Sequence, residues 1–390
     1  MLMLLLLLTA CSSSSTDEEP QKLKEKPVLK IYLFAPESPI VTRANTGSVN
    51  AADAEKAIHT IDIWVFEHES PNNKVSYIHL DDVSFSGQKE ITMEISDEFA
   101  NLPKKPNVDI YVAVNKESCG LQTGANAIGE NTTLAQLKET LIGSSSFGIN
   151  PLVSVPDMGL PMSGLLEDQV ISGIAPVYTA MTKNVKLVRA VSKVRFVLCK
   201  SSANPPTITN LSISLKANMI PKEEYLFLNG VYPDEKIRIK TTGTNVYEGA
   251  EPTTLVSSVN SSTITINSCD NPASYAYTSE TGQAYEKKID AGLIDPDGDD
   301  SLTPDLTQVG LFYFRESDKK LEGTISYTVG VAPNTVNKSV PFEMADAGDF
   351  TRNHTWIVYG YFLGSGELIL NNVKVKGWIT DSENPEVYNW

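Results

Sequence analysis

Leu187-Val188-Arg189-Ala190-Val191-Ser192-Lys193-Val194-Arg195-Phe196-Val197-Leu198, with Lys186 before it, reads as a β-strand that opens the second of two domains. Downstream, the same mixture of β-branched and aromatic residues between turn clusters predicts strands at Thr209–Leu215, Thr263–Ile266, Val309–Phe314, Gly323–Val331, Thr355–Leu363 and Glu367–Trp378. Upstream, Val28–Phe34 places Leu29, Ile31 and Leu33 on one face at period two, a strand that wants a groove, and Pro36 and Pro39 end it. Thr60–Phe66 and Val108–Val114, closing at Asn115, are further strands. Helix is minor: Thr133–Leu141 carries apolar residues at helical spacing behind a cap at Thr132 or Thr133. Short strands separated by turns, without strand-helix alternation, predict an all-β chain of two Greek-key β-sandwich domains.

The 390 residues are enough for two cores that need no disulfide staples. A formal charge of −16 without clustered Lys and Arg argues against nucleic acid as a partner. Cys119, Cys199 and Cys269 stand at wide spacings without a C-x-x-C, which gives neither a metal site nor a clear disulfide framework, and Cys199 reads as a buried thiol within an apolar strand. His59, His68, His79 and His354 lie in unrelated segments and read as surface or strand-edge residues. No G-x-S-x-G, H-E-x-x-H or phosphate loop is present, so neither an enzyme nor a cofactor is expected. The acidic run Asp295-Pro296-Asp297-Gly298-Asp299-Asp300, with Asp305 close by, is either a solvated loop or a site for one calcium ion, although glycine at its fourth position departs from an EF-hand. Asp300-Ser301-Leu302 resembles a short O-glycosylation signal of Bacteroidetes.

The first eleven residues, MLMLLLLLTAC, are too short an apolar run to span a bilayer and read as an export signal. Leu8-Thr9-Ala10-Cys11 is the pattern of a lipoprotein signal, with the mature chain beginning at lipidated Cys11, although the usual basic residues are missing ahead of it. The alternative is an ordinary signal peptide with a chance cysteine. Asp17-Glu18-Glu19 behind the cysteine resembles the surface-export signal of Bacteroidetes lipoproteins, which places the chain outside the cell. Residues 12–27, rich in Ser, Lys and Glu, read as a tether.

Three segments together resemble the fimbrillins of Bacteroidales, the type V pilins. Val188-Arg189-Ala190-Val191-Ser192-Lys193-Val194 is similar to the basic strand that opens the pilin C-terminal domain. Phe350-Thr351-Arg352-Asn353-His354 leads into Trp356–Phe362 as in the family's Arg-Asn-His-aromatic pattern, and Leu368–Trp378 looks like the terminal strand, with Trp390 as the last residue. In the N-terminal half, Ile61–Phe66, Ile110–Asn115 and Leu160-Pro161-Met162-Ser163-Gly164 also fit.

The resemblance implies transthyretin-like sandwiches and a sequence of events. A lipidated precursor attached to the outer membrane carries its own first strand, here Leu29, Ile31 and Leu33, in a groove of the N-terminal domain. A trypsin-like, Arg-specific protease cuts beyond that strand, and Arg43, followed by Ala44 in a stretch of turn formers, fits the role; the alternative is an arginine in an ordinary loop. The emptied groove then takes a donor strand from the C-terminal region of a neighbour, for which Leu368, Leu370, Val373, Val375, Trp378 and Trp390 supply apolar residues. Trp378 and Trp390 are either donor residues or core anchors. The resulting division is 1–11 signal, 12–43 tether and propeptide strand, 44–185 N-terminal domain and 186–390 C-terminal domain with donor strand. Arg352 and Asn353 are expected to hold structure. The implied role is a subunit of an extracellular fimbrium that supports adhesion, with other fimbrial subunits as partners and a host or bacterial surface ligand as a further one. The alternatives are a lipid-retaining anchor subunit and a surface lipoprotein that stacks glycans on residues such as Trp64, Trp356, Tyr275, Tyr277 and Tyr285.

Overall fold

The computed structural model is all-β. It describes residues 26–34, 53–143, 151–181, 185–228, 237–257, 265–269 and 307–375, save the single positions 71, 86, 245, 250 and 349. Cys11, Arg43, Ala44, Trp378, Trp390 and the Asp295–Asp300 run lie outside the described residues.

The first unit contains β1 (Val28–Phe34), β2 (Ile61–Glu67), β3 (Lys74–Leu80), β4 (Gln88–Glu94), β5 (Val108–Val114), β6 (Leu141–Gly143), β7 (Met162–Ile174), β8 (Val177–Met181), β9 (Val185–Lys186) and β10 (Val188–Arg189). Its main sheet runs β3-β2-β5-β7-β8-β1-β4, with β10 on β7 and β9 on β1. Strand β7 turns the corner of this sheet. Its first part pairs with β5 and its last, Val170–Ile174, with β8. Asp168 sits at the bend with φ 57°, and its amide donates to the Asp109 carboxylate at 2.9 Å. The sheet thereby folds into two layers, as strands that switch sheets do in sandwiches. Leu29, Ile31, Leu33, Ile91 and Met93 of one layer meet Ile61, Ile63, Val65, Ile110 and Val112 of the other in a single core.

The second unit contains β11 (Ser192–Ser201), β12 (Ile208–Leu215), β13 (Glu223–Tyr225), β14 (Thr253–Ser257), β15 (Ser268–Cys269), β16 (Thr307–Phe314), β17 (Leu321–Val329), β18 (Val336–Ala345), β19 (Thr355–Phe362) and β20 (Leu368–Val375). One sheet has β11 at its centre, with β15 and β16 on one side and β19 then β20 on the other; the facing sheet runs β14-β12-β17-β18. Phe196, Ile213, Phe314, Ile325, Phe342 and Phe362 fill the space between them.

A third core joins the two units. Along β2, Trp64 and Phe66 point away from the first core and pack with Tyr111 and Leu165 against Val191, Val197, Phe227, Tyr313 and Tyr361 of the second unit. Strand β11 is likewise used on both faces: Val194, Phe196 and Leu198 enter the sandwich core, whereas Val197 and Cys199 enter the junction. This double burial explains why the run Leu187–Leu198 is apolar almost throughout, as strands covered on both faces are. Strand β13 pairs with β6 and so stitches the units together through backbone hydrogen bonds.

Several elements differ from the sequence reading. The run Lys186–Leu198 is three strands, because β9 pairs with β1, β10 with β7, and only β11 belongs to the second unit. Thr265 and Ile266 lie outside any strand, and the pairing falls at β15 instead; Ile266 is nevertheless buried in the sandwich core. The helix is shortened to Leu134–Lys138, with Thr133 and Gln136 forming a capping box, because Leu141 joins β6.

Candidate functional site

Alternation of Leu29, Ile31 and Leu33 with Lys30 and Tyr32 sends three aliphatic side chains into the N-terminal core, where they are at most 1% exposed. Strand β1 is bonded along both edges. It runs antiparallel to β4 over its whole length, from Val28 opposite Glu94 to Phe34 opposite Gln88. On the other edge it runs parallel to β8 at Val28–Lys30 and to β9 at Leu33–Phe34. The amide of Val28 donates to Pro176 O at 2.8 Å, that of Ile95 to Pro27 O at 3.0 Å and that of Leu187 to Phe34 O at 3.2 Å, which fixes both ends. Among the described residues β1 is the strand to which β4 is hydrogen-bonded. Withdrawal of β1 therefore opens a slot and leaves β4 without its partner strand, held by the Ser76 hydroxyl, which donates to Glu94 O, and by the burial of Ile91 and Met93. The outer face is polar: Lys30 and the Tyr32 hydroxyl both donate to Glu90 at 2.7 Å, and Lys30 holds the Glu90 carboxyl below its usual range. Such exposed pairs add little.

Strand β20 forms the outer edge of its own sheet, antiparallel to β19 from Leu368 opposite Phe362 to Val375 opposite Thr355. Leu368 is buried in the sandwich core, Leu370 packs against it half-buried, and Ile369 is exposed. Val373 and Val375 continue the strand. The turn before β20 is tight: Gly366 has φ 73°, and a Cβ there would collide with Val329. A tyrosine hydroxyl clasps that turn. Tyr327 OH donates to Gly366 O at 3.2 Å and accepts from the Leu368 amide at 3.1 Å.

Helix α1 (Asp53–Lys56) is the first described element after β1. Its Glu55 is 1% exposed and holds Lys193 Nζ at 2.8 Å, while Tyr313 OH donates to the same carboxylate oxygen at 2.5 Å. Arg189 Nε donates to the Glu55 carbonyl at 2.9 Å; burial depresses the Arg189 pKa to about 10. Neither Glu55 nor Lys193 was singled out from the sequence. The available signal was a set of cations, Arg189, Lys193 and Arg195, embedded in an otherwise apolar run.

Arg352 and Asn353 hold structure, as expected. The Arg352 guanidinium forks onto Glu316, with Nη2 at 2.9 Å and Nε at 3.2 Å, and donates to the carbonyls of Leu226 and Tyr225 at 2.8 and 2.7 Å. Asn353 adopts φ 61° and its amide donates to Val191 O at 2.7 Å. Glu224, fully buried beside this network, accepts from the Glu316 amide at 2.9 Å, and burial pushes its pKa up to about 8. His354 is buried, with Nδ1 2.9 Å from Thr351 Oγ1, and so is not the surface residue expected. His68 contacts Asp109 and His79 contacts Asp62, and among the described residues no group of His, Cys, Asp and Glu is placed to hold a metal ion.

Trp64 and Trp356 are buried, Trp64 Nε1 donating to Gly129 O at 2.8 Å, so neither offers a face to a sugar ring. Cys119 and Cys199 are buried, and burial raises the Cys119 thiol pKa. No described helix is long and apolar enough to cross a membrane.

Two β-sandwich units joined by a shared core, with the first strand locked inside the N-terminal sheet, define the class by fold. A crystal structure of a candidate cell adhesion protein from Parabacteroides distasonis shares this fold, with a TM-score of 0.53 and 12% identity over 92% of this chain and 99% of that one. A candidate cell adhesion protein from Bacteroides eggerthii (TM-score 0.49, 12% identity, 91% and 97% coverage) is also similar. So is the tip fimbrial protein Mfa3 from Porphyromonas gingivalis with C-terminal truncation (TM-score 0.48, 14% identity, 90% and 100% coverage). The structural neighbours are thus fimbrial and cell adhesion proteins of Bacteroidales. No protein-family model matches the chain, and no curated protein sequence matches it.

Proposed function

We propose that this chain is a structural subunit of a surface fimbria that supports adhesion, exported as a lipoprotein through Cys11, cut after Arg43 and polymerised by strand exchange. The observation that carries this reading is the position of β1. It fills an internal slot of the N-terminal sheet and is joined to the rest of the body through residues 35–52, which include Arg43. Burial of Leu29, Ile31 and Leu33 contributes about 5–9 kcal/mol at roughly 1.5–3 kcal/mol each, an upper bound on the unfolded reference used. Loss of the strand leaves that surface open and two rows of backbone groups unpaired, a strong demand for another strand. A second copy can meet it. The apolar positions of the terminal region, Leu368, Leu370, Val373, Val375, Trp378 and Trp390, make it the donor, and a head-to-tail donation that does not close gives a filament.

The test is the N-terminal residue and intact mass of protein released from the bacterial surface, together with its state of assembly before and after limited trypsin. A start at Ala44 in large assemblies is the expected result. A lipidated Cys11 start in an uncut monomer that trypsin does not polymerise refutes the reading; a lipidated Cys11 start within a fimbria makes the chain its anchor.

A further inference from the structure

Two β-hairpins, one in each unit, carry exposed large aliphatic residues. In the N-terminal unit, Leu187 bonds Phe34 at one end of β1, and Val28 stands at the other. There the β7–β8 hairpin exposes Val170 (52%), Ile174 (87%) and Val177 (40%), with Val177 paired directly to Val28. In the C-terminal unit, β19 runs parallel to β11, and β20 begins beside the end of β19 and returns antiparallel to it. The β17–β18 hairpin lies at that end and exposes Val331 (67%) and Val336 (57%). Val336 pairs with Val329, the residue against which Gly366 of the β20 turn is packed. The turn from which a donor strand would swing and the exposed hairpin therefore share one end.

Direction decides which surfaces meet. A strand that replaces β1 in its own pairing runs parallel to β8 and antiparallel to β4, so its first residues occupy the position of Val28. Those first residues are the ones nearest the Gly366 turn of the donating subunit. The donor's β17–β18 hairpin is then carried to the Ile174 hairpin of the recipient. We propose that Val331 and Val336 of one subunit pack on Val170, Ile174 and Val177 of the next, a subunit contact separate from the exchanged strand, and this rests on the strand-exchange reading above. The occupant is a second copy of the same chain.

The test uses the full-length chain converted with trypsin. A variant carrying both Ile174→Cys and Val331→Cys, treated with a short thiol-specific bifunctional reagent, is expected to give a ladder of covalent multimers. Each single variant, and a pair in which Val153→Cys replaces the Ile174 substitution, is expected to give no ladder. Ile174→Asp, at a position already exposed, is expected to leave the melting temperature of the uncut chain unchanged and to slow polymerisation at least about tenfold. Filaments that form without the ladder, and at the wild-type rate in Ile174→Asp, overturn this contact and leave strand exchange standing. Failure of the wild-type chain to polymerise removes the strand-exchange reading and this inference with it.

Discussion

Ile31→Ala separates a strand that leaves from a strand that stays. Ile31 sits at the centre of β1, opposite Ile91, with 1% exposure and neighbours on both layers of the N-terminal core. Truncation of a fully buried isoleucine costs about 2–5 kcal/mol, because the lost contacts and the remaining cavity both count. In the uncut chain this lowers the melting temperature of the N-terminal unit by about 4–20 °C, at roughly 2–4 °C per kcal/mol. After cutting, the same weakening favours departure of β1 by a factor of about 30 to several thousand, with each 1.4 kcal/mol worth tenfold. The filament should form faster. Once formed it no longer contains Ile31, so its resistance to denaturant should equal that of wild type. The assays are calorimetry on the uncut chain, light scattering after addition of trypsin, and denaturation of the finished filament. A filament weakened to the same extent as the precursor refutes the reasoning, since β1 would then have remained in place. An unchanged melting temperature of the precursor would show that β1 does not fill the slot.

Lys193→Met leaves the Glu55 carboxylate buried without its cation and should destabilise the chain by about 3–5 kcal/mol, read as a shift of the urea midpoint; Glu55→Gln tests the other partner. Tyr327→Phe removes the hydroxyl that spans Gly366 and Leu368, at a cost of about 1–3 kcal/mol, and should accelerate hydrogen exchange at the Leu368 amide ahead of other β20 amides. Glu224, raised from 4.5 to about 8 by burial, binds a proton in the folded chain that the unfolded chain releases, so its stabilising contribution is full below about pH 4.5 and is lost as pH rises to about 8. Glu224→Gln should flatten the fall in stability between these limits, followed by denaturation midpoints across that range.

Strand β1 was legible because its buried face alternates strictly, Leu29, Ile31, Leu33, between polar residues and prolines. Strands β4 and β18 escaped detection for the opposite reason. In Gln88–Glu94 only Ile91 and Met93 are buried, and in Val336–Ala345 only Phe342, Met344 and Ala345 are, so neither stands out from a loop by composition. The Leu187–Leu198 run was read as one strand because burial on both faces removes the alternation that marks where a strand leaves one sheet and joins another. The slot was legible only as a demand, three aliphatic residues needing a groove. Its far wall, β8 and β9, lies far downstream in sequence and carries no pattern that names β1 as its neighbour.

The buried cluster at the junction bears on whether the proposed cut between β1 and α1 would release one strand without loosening the rest. Glu55 is tied to Lys193 and Tyr313 of the second unit and, through its carbonyl, to Arg189, so the chain is fixed to the junction two residues after the described part of α1 begins. Hydrogen bonds and charges at this depth are costly to break singly. Strand β1 is held instead by the N-terminal core, where Leu29, Ile31 and Leu33 are buried, by its two strand neighbours and by the exposed Lys30–Glu90 pair on its outer face. These are the contacts of the slot, which a donor strand would replace on the strand-exchange reading. The shared core and the β6–β13 pairing join the two units. Weakening the junction by Lys193→Met should therefore lower the stability of the uncut chain while leaving the preference of the slot for a donor strand intact, and filaments of that variant should still form after trypsin at temperatures below its melting point.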